Sequence, residues 1–468
     1  MLYTLEQVAD AAGGVIENAD PGAGVMGVSI DSRAVGVGDL FVAIAGDRFD
    51  GHDFAAQAVA AGAAAALISR SRRATLPPEL PLVVVDDAFE GLRRLARFAR
   101  GRSRARIVAV TGSAGKTSTK EALRAILSEA GPTHASVKSF NNHWGVPLTL
   151  ARLPVESAYG IFEIGMNHAG EITPLSRMVR PHVAVITSVG EAHLEFFDSV
   201  AGIADAKAEI FAGLYPGGHA IINADHDHLG RLVRHARSAG AEIVTYGLSE
   251  RADYRIHPDD SDQARASGRL VGPDLDMTLA VPSPGVHSLV NAAGALLAAR
   301  ACGIAPERAA AVLARHKAGA GRGEILALGP EDRPLLLIDE SYNANPAAMR
   351  AALSVFTTLS GADRKVLVLG DMRELGARAP ALHAGLAEAV LASGADQVYL
   401  VGEQMEHLAA ALPEGLVQRL CRTTQEIAPA VLGALAYGDA VMVKGSNGVG
   451  LASLVDSIKA QFAQSAQR

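Results

Sequence analysis

The segment from Arg106 to Leu127, RIVAVTGSAGKTSTKEALRAIL, sets an apolar run, a glycine loop and a helical pattern in that order. Backbone N–H groups of such a loop wrap phosphate oxygens, the following helix N-terminus favours negative charge, and a lysine reaches the terminal phosphates of a nucleotide. Gly112, Ser113, Ala114 and Gly115 are the candidate cradle, Lys116 the phosphate ligand, and Thr117 and Ser118 the adjoining hydroxyls, with Thr117 offered to magnesium. The loop is shorter than the full pattern, since Val110 stands at its first glycine position. Two further residues have metal-binding chemistry. Glu163 ends the run YGIFEI, from which an acid can reach a nucleotide metal at the carboxyl edge of a parallel sheet. His193, in SVGEAHLEFF after the next apolar run, reads either as a further ligand or as a capping histidine.

Those residues need a framework, and the middle of the chain supplies an α/β one. Expected strands Ile107 to Val110, Tyr159 to Ile164, Val183 to Ser188 and Ala220 to Asn223 alternate with helices Ser118 to Glu129 and Gly170 to Met178. That alternation implies right-handed crossovers and a mostly parallel sheet. A polar, strand-poor stretch, Asp253 to Asp276, then precedes a helix, His287 to Cys302. Ahead of this section lies a small α/β unit. It has a short opening helix, strands Leu40 to Ile44, Ala65 to Ile68 and Leu82 to Val85, and an alanine-rich helix Phe54 to Ala61. A basic amphipathic helix, Leu92 to Arg100, leads out of it. Behind the middle section the Gly-rich hinge KAGAGRG, Lys317 to Gly323, opens a second doubly wound unit. Its expected strands are Leu335 to Ile338, Val366 to Leu369, Gln397 to Val401 and Ala440 to Val443. A length of 468 residues matches about three domains at roughly 150 residues each. The expected units are 1–86, 87–317 and 318–468.

Charge excludes several roles. With 43 basic against 50 acidic residues the net charge is -7, which leaves no surplus for bulk phosphate-backbone binding, so nucleic acid is not an expected partner. Only eight of the basic residues are lysines, Lys116, Lys120, Lys138, Lys207, Lys317, Lys365, Lys444 and Lys459, so any lysine in a motif invites the question of why arginine does not replace it. Cys302 and Cys421 match no metal spacing and form no disulfide framework. Met1 to Val15 carries Glu6 and Asp10 and lacks a basic-then-apolar signal, and the alanine-rich stretch Phe54 to Ile68 falls short of a membrane span. A cytoplasmic chain without a membrane span is expected.

In order along the chain, TGSAGKTS, NNHWGVP, EIGMNHAGEI, EAHLEFF, AKAEIF, HSLVNAAGA, GRGE, DESYNANP, GDMRELG and VKGS resemble the Mur ligase family. SYNANP, GDMRELG and the opening DSR…GDLFVAIAGDRFDGHDF are similar to the branch that adds D-alanyl-D-alanine to a UDP-N-acetylmuramoyl tripeptide. The resemblance implies a small N-terminal domain for the UDP-sugar peptide, a central P-loop ATPase and a C-terminal Rossmann-like ligase domain, acting as a monomer. It implies ATP-dependent amide formation through an acyl phosphate, with ATP and two Mg2+ ions bound and ADP and phosphate released. A tripeptide-forming Mur ligase or a folylpolyglutamate synthase shares the nucleotide machinery, but SYNANP and the N-terminal unit speak against both. A kinase or nucleotide-gated switch would lack the His193 and Lys207 set and the third domain.

The resemblance also assigns residues. Thr117, Glu163, His193 and a carbamylated Lys207 would hold the metals, although Lys207 alone reads as a surface lysine paired with Glu209 or Asp205. Asn141 and Asn142 would lie near the phosphates, and His287 and Asn291, one helical turn apart, would take adenine and ribose. Arg322 would reach the γ-phosphate as the C-terminal domain closes. Asp339, Glu340, Tyr342, Asn343 and Asn345 would touch the nucleotide and the incoming amine, with Glu340 where an aspartate is common. Ser29, Asp31, Ser32 and Arg33, then Phe49, Asp50, Gly51 and His52, resemble the two UDP-substrate loops, with Asn167 and His168 also on the substrate. Lys444 and Ser446 would meet the dipeptide, and Asn447 replaces the arginine that usually follows.

Overall fold

A computed structural model describes residues 1–46, 48–137, 140–259, 265–317, 319 and 321–463. Lys138 and the expected second seam at residue 318 lie outside them. Among the described residues the chain forms three main sheets, each clad in helices. The first sheet has five strands, ordered Val15–Glu17, Leu82–Val85, Ala65–Ser69, Leu40–Val42 and Val28–Ser29, all parallel except the first. Side chains alternate across it: Val83 and Val85 face one apolar cluster, Leu82 and Val84 another.

The central sheet has nine strands. Arg106–Thr111 lies between Tyr159–Glu163 and Val183–Ile186, so the strand order reverses on either side of it. A crevice opens at the carboxyl ends of strands at such a reversal, and the glycine loop sits there. His219–Asn223 and Glu242–Gly247 continue the sheet in parallel, and Thr133–Ala135 closes its other edge. The stretch Asp253 to Asp276 is not strand-poor. It carries Tyr254–Pro258 and Ala266–Gly272, and with Leu275–Val281 these finish the sheet. The last two pair antiparallel across a tight turn at Pro273 and Asp274. An edge hairpin needs one apolar face only, so its polar outer face concealed it in the sequence.

The helix expected at Leu92 to Arg100 spans Ala88–Arg102, because Asp87 caps it by accepting the Glu90 N–H at 2.7 Å. Arg100 donates to the Val179 and Arg180 carbonyls at 2.6 and 2.9 Å, and Arg102 donates to the Leu2 carbonyl at 2.8 Å. This helix therefore ties the first sheet to the central one. The third sheet runs Glu324–Leu328, Leu335–Glu340, Ala440–Lys444, Lys365–Gly370, Gln397–Val401 and Val417–Cys421. The two edge strands were not expected, and the first of them is antiparallel. One apolar cluster runs through all three units, from Leu5 through Ile186 to Met442. Among the described residues no helix is long and apolar enough to cross a membrane.

Candidate active site

The glycine loop is shaped by backbone that side chains cannot enter. Gly112 and Gly115 have φ of 153° and 82°. A Cβ on Gly112 would stand 2.0 Å from Thr187 Oγ1, and one on Gly115 2.3 Å from Asn291 Oδ1. The loop is gripped by the segment after Val183–Ile186. Ala114 N–H donates to Ser188 Oγ at 2.8 Å, Thr187 Oγ1 donates to the Ala114 carbonyl at 2.5 Å, and Ser113 Oγ donates to the Gly190 carbonyl at 3.1 Å. Thr187 and Ser188 were not expected at the site; a Thr-Ser pair after a strand gives no distinct signal. Lys116 donates to the Gly112 carbonyl at 2.7 Å, which curls its ammonium over the loop. Ser118 follows in the first turn of Lys116–Ser128.

Glu163 is 1% exposed and is not a solvated strand end. Its Oε2 accepts from Thr117 Oγ1 at 2.7 Å and its Oε1 from Asn141 Nδ2 at 2.8 Å. The two expected asparagines separate in role. Asn141 faces Glu163, while Asn142 accepts the Trp144 and Gly145 N–H groups at 3.2 and 2.9 Å and starts the helix Gly145–Ala151.

Lys207, on Val200–Ala208, is 1% exposed, and neither expected acid pairs with it. Asp205 is taken by Arg231 and His235 at 2.7 and 3.0 Å, and Glu209 accepts the Gly170 and Thr173 N–H groups at 2.6 and 2.9 Å. Burial, aided by the charge of Lys116, holds the Lys207 ammonium well below its ordinary range. Lys116 is itself lowered, first by enclosure and also by Arg322, with Glu163 and Glu374 opposing. The electrostatics thus gather Glu163, Lys207, Arg322 and Glu374 around one ammonium.

His193 has a left-handed backbone, φ 62°, and its Nδ1 lies 2.5 Å from Glu374 Oε2. Glu374 belongs to GDMRELG, whose residues had no expected role. A partner 181 positions away leaves no local pattern.

The C-terminal unit reaches the loop directly. Asn345 caps Pro346–Thr358 by accepting the Ala348 N–H at 2.9 Å, and its Nδ2 donates to the Ser113 carbonyl at 3.4 Å. Asp339 accepts the Gly321 and Ser341 N–H groups at 3.0 and 3.1 Å, fixing the strand to the glycine-rich segment. The Arg322 guanidinium stacks 4.0 Å from the Tyr342 ring centre. Lys444, 2% exposed, pairs with Glu340 at 2.9 Å and donates to the Asn343 carbonyl at 3.2 Å. Ser446 Oγ accepts the Arg373 N–H at 3.0 Å, and Asn447 opens the short turn Asn447–Val449. His287 lines one small cavity with Gly323 and Glu340, and Asn291 lies a turn further on the same helix, against Gly115.

The expected substrate loops lie apart from this cluster, in the first unit. Ser29 is buried and donates to the Asp31 carbonyl at 3.0 Å, while Asp31 accepts from Arg33 Nε at 2.9 Å and Nη2 at 2.8 Å, beside the short turn Ser32–Ala34. His52 is buried and accepts the Ser69 N–H at 3.0 Å, with Asp50 at 2.5 Å on its other nitrogen. This locks the turn at Gly51 and leaves Phe49 outside, 73% exposed. A Cβ on Gly46 would stand 3.1 Å from Trp144, so the two segments approach closely. The Asn167 N–H donates to Glu171 at 2.8 Å, and the His168 ring lies 4.5 Å from that of Phe196.

The chain is similar to known proteins over most of its length. Residues 24–99 match the model of the Mur ligase family catalytic domain, 110–299 that of the Mur ligase middle domain, and 321–447 that of the Mur ligase glutamate ligase domain. A UDP-N-acetylmuramoyl-tripeptide--D-alanyl-D-alanine ligase of Escherichia coli (strain K12) is 39% identical over 391 residues, 81% of each chain. A crystal structure of MurF from Acinetobacter baumannii superposes with a TM-score of 0.85 at 30% identity, covering 98% of this chain and 99% of that one. MurF ligase from Thermotoga maritima in complex with ADP gives 0.78 at 26% identity, covering 94% and 98%.

Proposed function

The chain belongs to the Mur ligase family, and we propose that it joins D-alanyl-D-alanine to UDP-N-acetylmuramoyl-tripeptide. It is an ATP-dependent ligase of peptidoglycan precursor synthesis. The observation that carries this reading is that both outer units touch the central unit that holds the glycine loop. Asn345 bonds to Ser113 from the C-terminal unit, and Trp144, three residues beyond the Asn141 that holds Glu163, packs beside Gly46 of the N-terminal unit.

The tripeptide carboxylate attacks the γ-phosphorus of ATP, forming the acyl C–O–P link as the bond to ADP breaks. The amine of D-alanyl-D-alanine then attacks the acyl carbon, loses a proton, and phosphate leaves with the bridging oxygen. A carboxylate approaching a triphosphate meets strong charge repulsion, so positioning and charge neutralisation dominate the catalysis. Lys116 serves that purpose over the loop, and Arg322 is stored on Tyr342 beside it. His287 and Asn291 would take adenine and ribose, and Glu340, Asn343 and Lys444 the amine side.

The donor set fits magnesium, because Thr117 and Glu163 are already paired and the hard oxygen ligands lie next to the phosphate loop. Two Mg2+ ions, held by Thr117, Glu163, His193 and carbamylated Lys207, would supply the remaining charge neutralisation. Burial, aided by the charge of Lys116, disfavours the Lys207 ammonium and so favours the neutral amine that adds to carbon dioxide; arginine cannot do this. We place the reaction in the cytoplasm, where ATP is supplied, and read a monomer as its unit, with domains 1–86, 87–317 and 318–468. Ser29 to Arg33 and Phe49 to His52 would hold the UDP-sugar peptide, with Asn167 and His168 along its peptide arm.

The test is phosphate release with UDP-N-acetylmuramoyl-tripeptide, D-alanyl-D-alanine and ATP, omitting each in turn. Turnover should need all three. Turnover without the dipeptide, or with a single amino acid in its place, would remove the assignment.

A further inference from the structure

His193 and Glu374 face each other across the seam between the central and C-terminal units, and both have a left-handed backbone at φ 62°. Non-glycine residues rarely adopt that conformation, so two facing each other mark a constrained contact. Around the 2.5 Å imidazole–carboxylate bond the two loops grip twice more. Glu195 N–H donates to the Glu374 carbonyl at 3.1 Å, and Arg378 pairs with Glu191 at 2.9 Å. Gly376, φ 56°, passes so close that a Cβ there would stand 3.0 Å from Glu195 Cα.

Glu374 is presented by a loop that cannot drift within its own unit. Asp371 N–H donates to the Val401 carbonyl at 3.0 Å, Met372 N–H to His383 Nε2 at 3.0 Å, and Arg373 N–H to Ser446 Oγ at 3.0 Å. Met372 and Leu375 are buried on either side. The carboxylate is therefore a fixed feature of the C-terminal unit, and His193 meets it only when that unit is docked.

We propose that Glu374 is the positioning residue of His193. The ionised carboxylate only accepts, so His193 carries its neutral-state proton on Nδ1 and keeps the Nε2 lone pair free. Docking of the C-terminal unit thus sets the tautomer and aim of a histidine that belongs to the central unit. The benefit of Nε2 to catalysis rests on the reading of His193 as a metal ligand; the tautomer itself does not.

The full-length chain, labelled with 15N-histidine, tests this by imidazole nitrogen NMR at mildly alkaline pH. The His193 signals are assigned by their loss in His193→Ala. The wild type and Glu374→Gln, whose amide oxygen still accepts, should show protonated Nδ1 and free Nε2. Glu374→Ala should lose that preference. Binding of Mn2+ alone, followed by EPR, should weaken about tenfold in Glu374→Ala and far less in Glu374→Gln. In turnover, Glu374→Ala should lower kcat about 10-fold or more with little change in KM, and add nothing on top of His193→Ala. An unchanged His193 tautomer in Glu374→Ala overturns the proposal, as does a full additional loss in the double variant. If His193→Ala binds Mn2+ as the wild type does, the metal-ligand reading fails, and the NMR comparison still decides the positioning claim.

Discussion

Thr117 donates its hydroxyl proton to Glu163 Oε2 at 2.7 Å, joining the first turn after the glycine loop to the end of the neighbouring strand. The carboxylate is 1% exposed, and its other oxygen accepts from Asn141, so two donors hold its charge in place. Glu163→Gln keeps the shape and removes the charge. It should fold with a melting temperature near that of the wild type and lose about 100-fold or more in phosphate release. Thr117→Ser should stay close to wild type, whereas Thr117→Ala, leaving a buried oxygen with one donor fewer, should cost about 1–2 kcal/mol in urea unfolding as well as activity. Full activity in Glu163→Gln would remove the carboxylate from the mechanism.

Burial, and after it repulsion from Lys116, holds the Lys207 ammonium well below its ordinary range. The lowering favours the neutral amine, the form that adds to carbon dioxide. In carbon dioxide-depleted buffer the wild-type rate should fall and bicarbonate should restore it, while Lys207→Ala should be about 100-fold slower in either buffer. Wild-type turnover indifferent to bicarbonate, together with an active Lys207→Ala, would refute the carbamate.

The two lysines differ in how far the sequence reveals them. Lys116 is legible from residue type and spacing alone, because phosphate binding is done by contiguous backbone. Lys207 lies in VAGIADAKA, where alanine and glycine on all sides give no face to read, and only packing shows that the lysine is inside. Glu374 is still further from view, since its partner is 181 residues away. The same physics governs the fold. Interior strands such as Leu82–Val85 and Gln397–Val401 were legible as apolar runs. The edge strands Leu275–Val281, Glu324–Leu328 and Val417–Cys421, part-exposed and carrying charge, were not.

Phe49 is the apolar side chain that the locked turn at His52 leaves in solvent, near the approach of Gly46 to Trp144. A free aromatic there suits a uracil base or sugar face. Phe49→Ala should raise KM for the UDP-linked substrate about tenfold, leave KM for ATP and D-alanyl-D-alanine within about twofold, and keep the fold. Trp144 is the single tryptophan of the chain, so UDP-substrate binding should change the intrinsic fluorescence of the wild type. An unaltered KM in Phe49→Ala would place the UDP moiety elsewhere.

His182 offers a test of stability against pH, away from the catalytic cluster. Its Nδ1 accepts the Ile107 N–H at 2.9 Å, and its ring stacks on Tyr215 at 4.8 Å. Burial, with the charges of Arg100, Arg106 and Arg180, pushes the imidazole down to about 4. A histidine whose folded pKa lies below its unfolded value binds more protons unfolded. Stability is then full above about pH 6.5 and falls as pH drops toward 4. His182→Asn presents an amide oxygen to Ile107 and cannot titrate. Urea unfolding at pH 7.5 and pH 5.0 should show a loss in the wild type that exceeds the loss in His182→Asn by on the order of 1 kcal/mol. His226 is pushed down to about 4 by its own burial and acts in the same direction, but it is common to both proteins and cancels in the comparison. Equal losses in the two proteins would mean that His182 takes up its proton as readily in the folded chain as in the unfolded one, and that it does not govern the acid sensitivity of the central sheet.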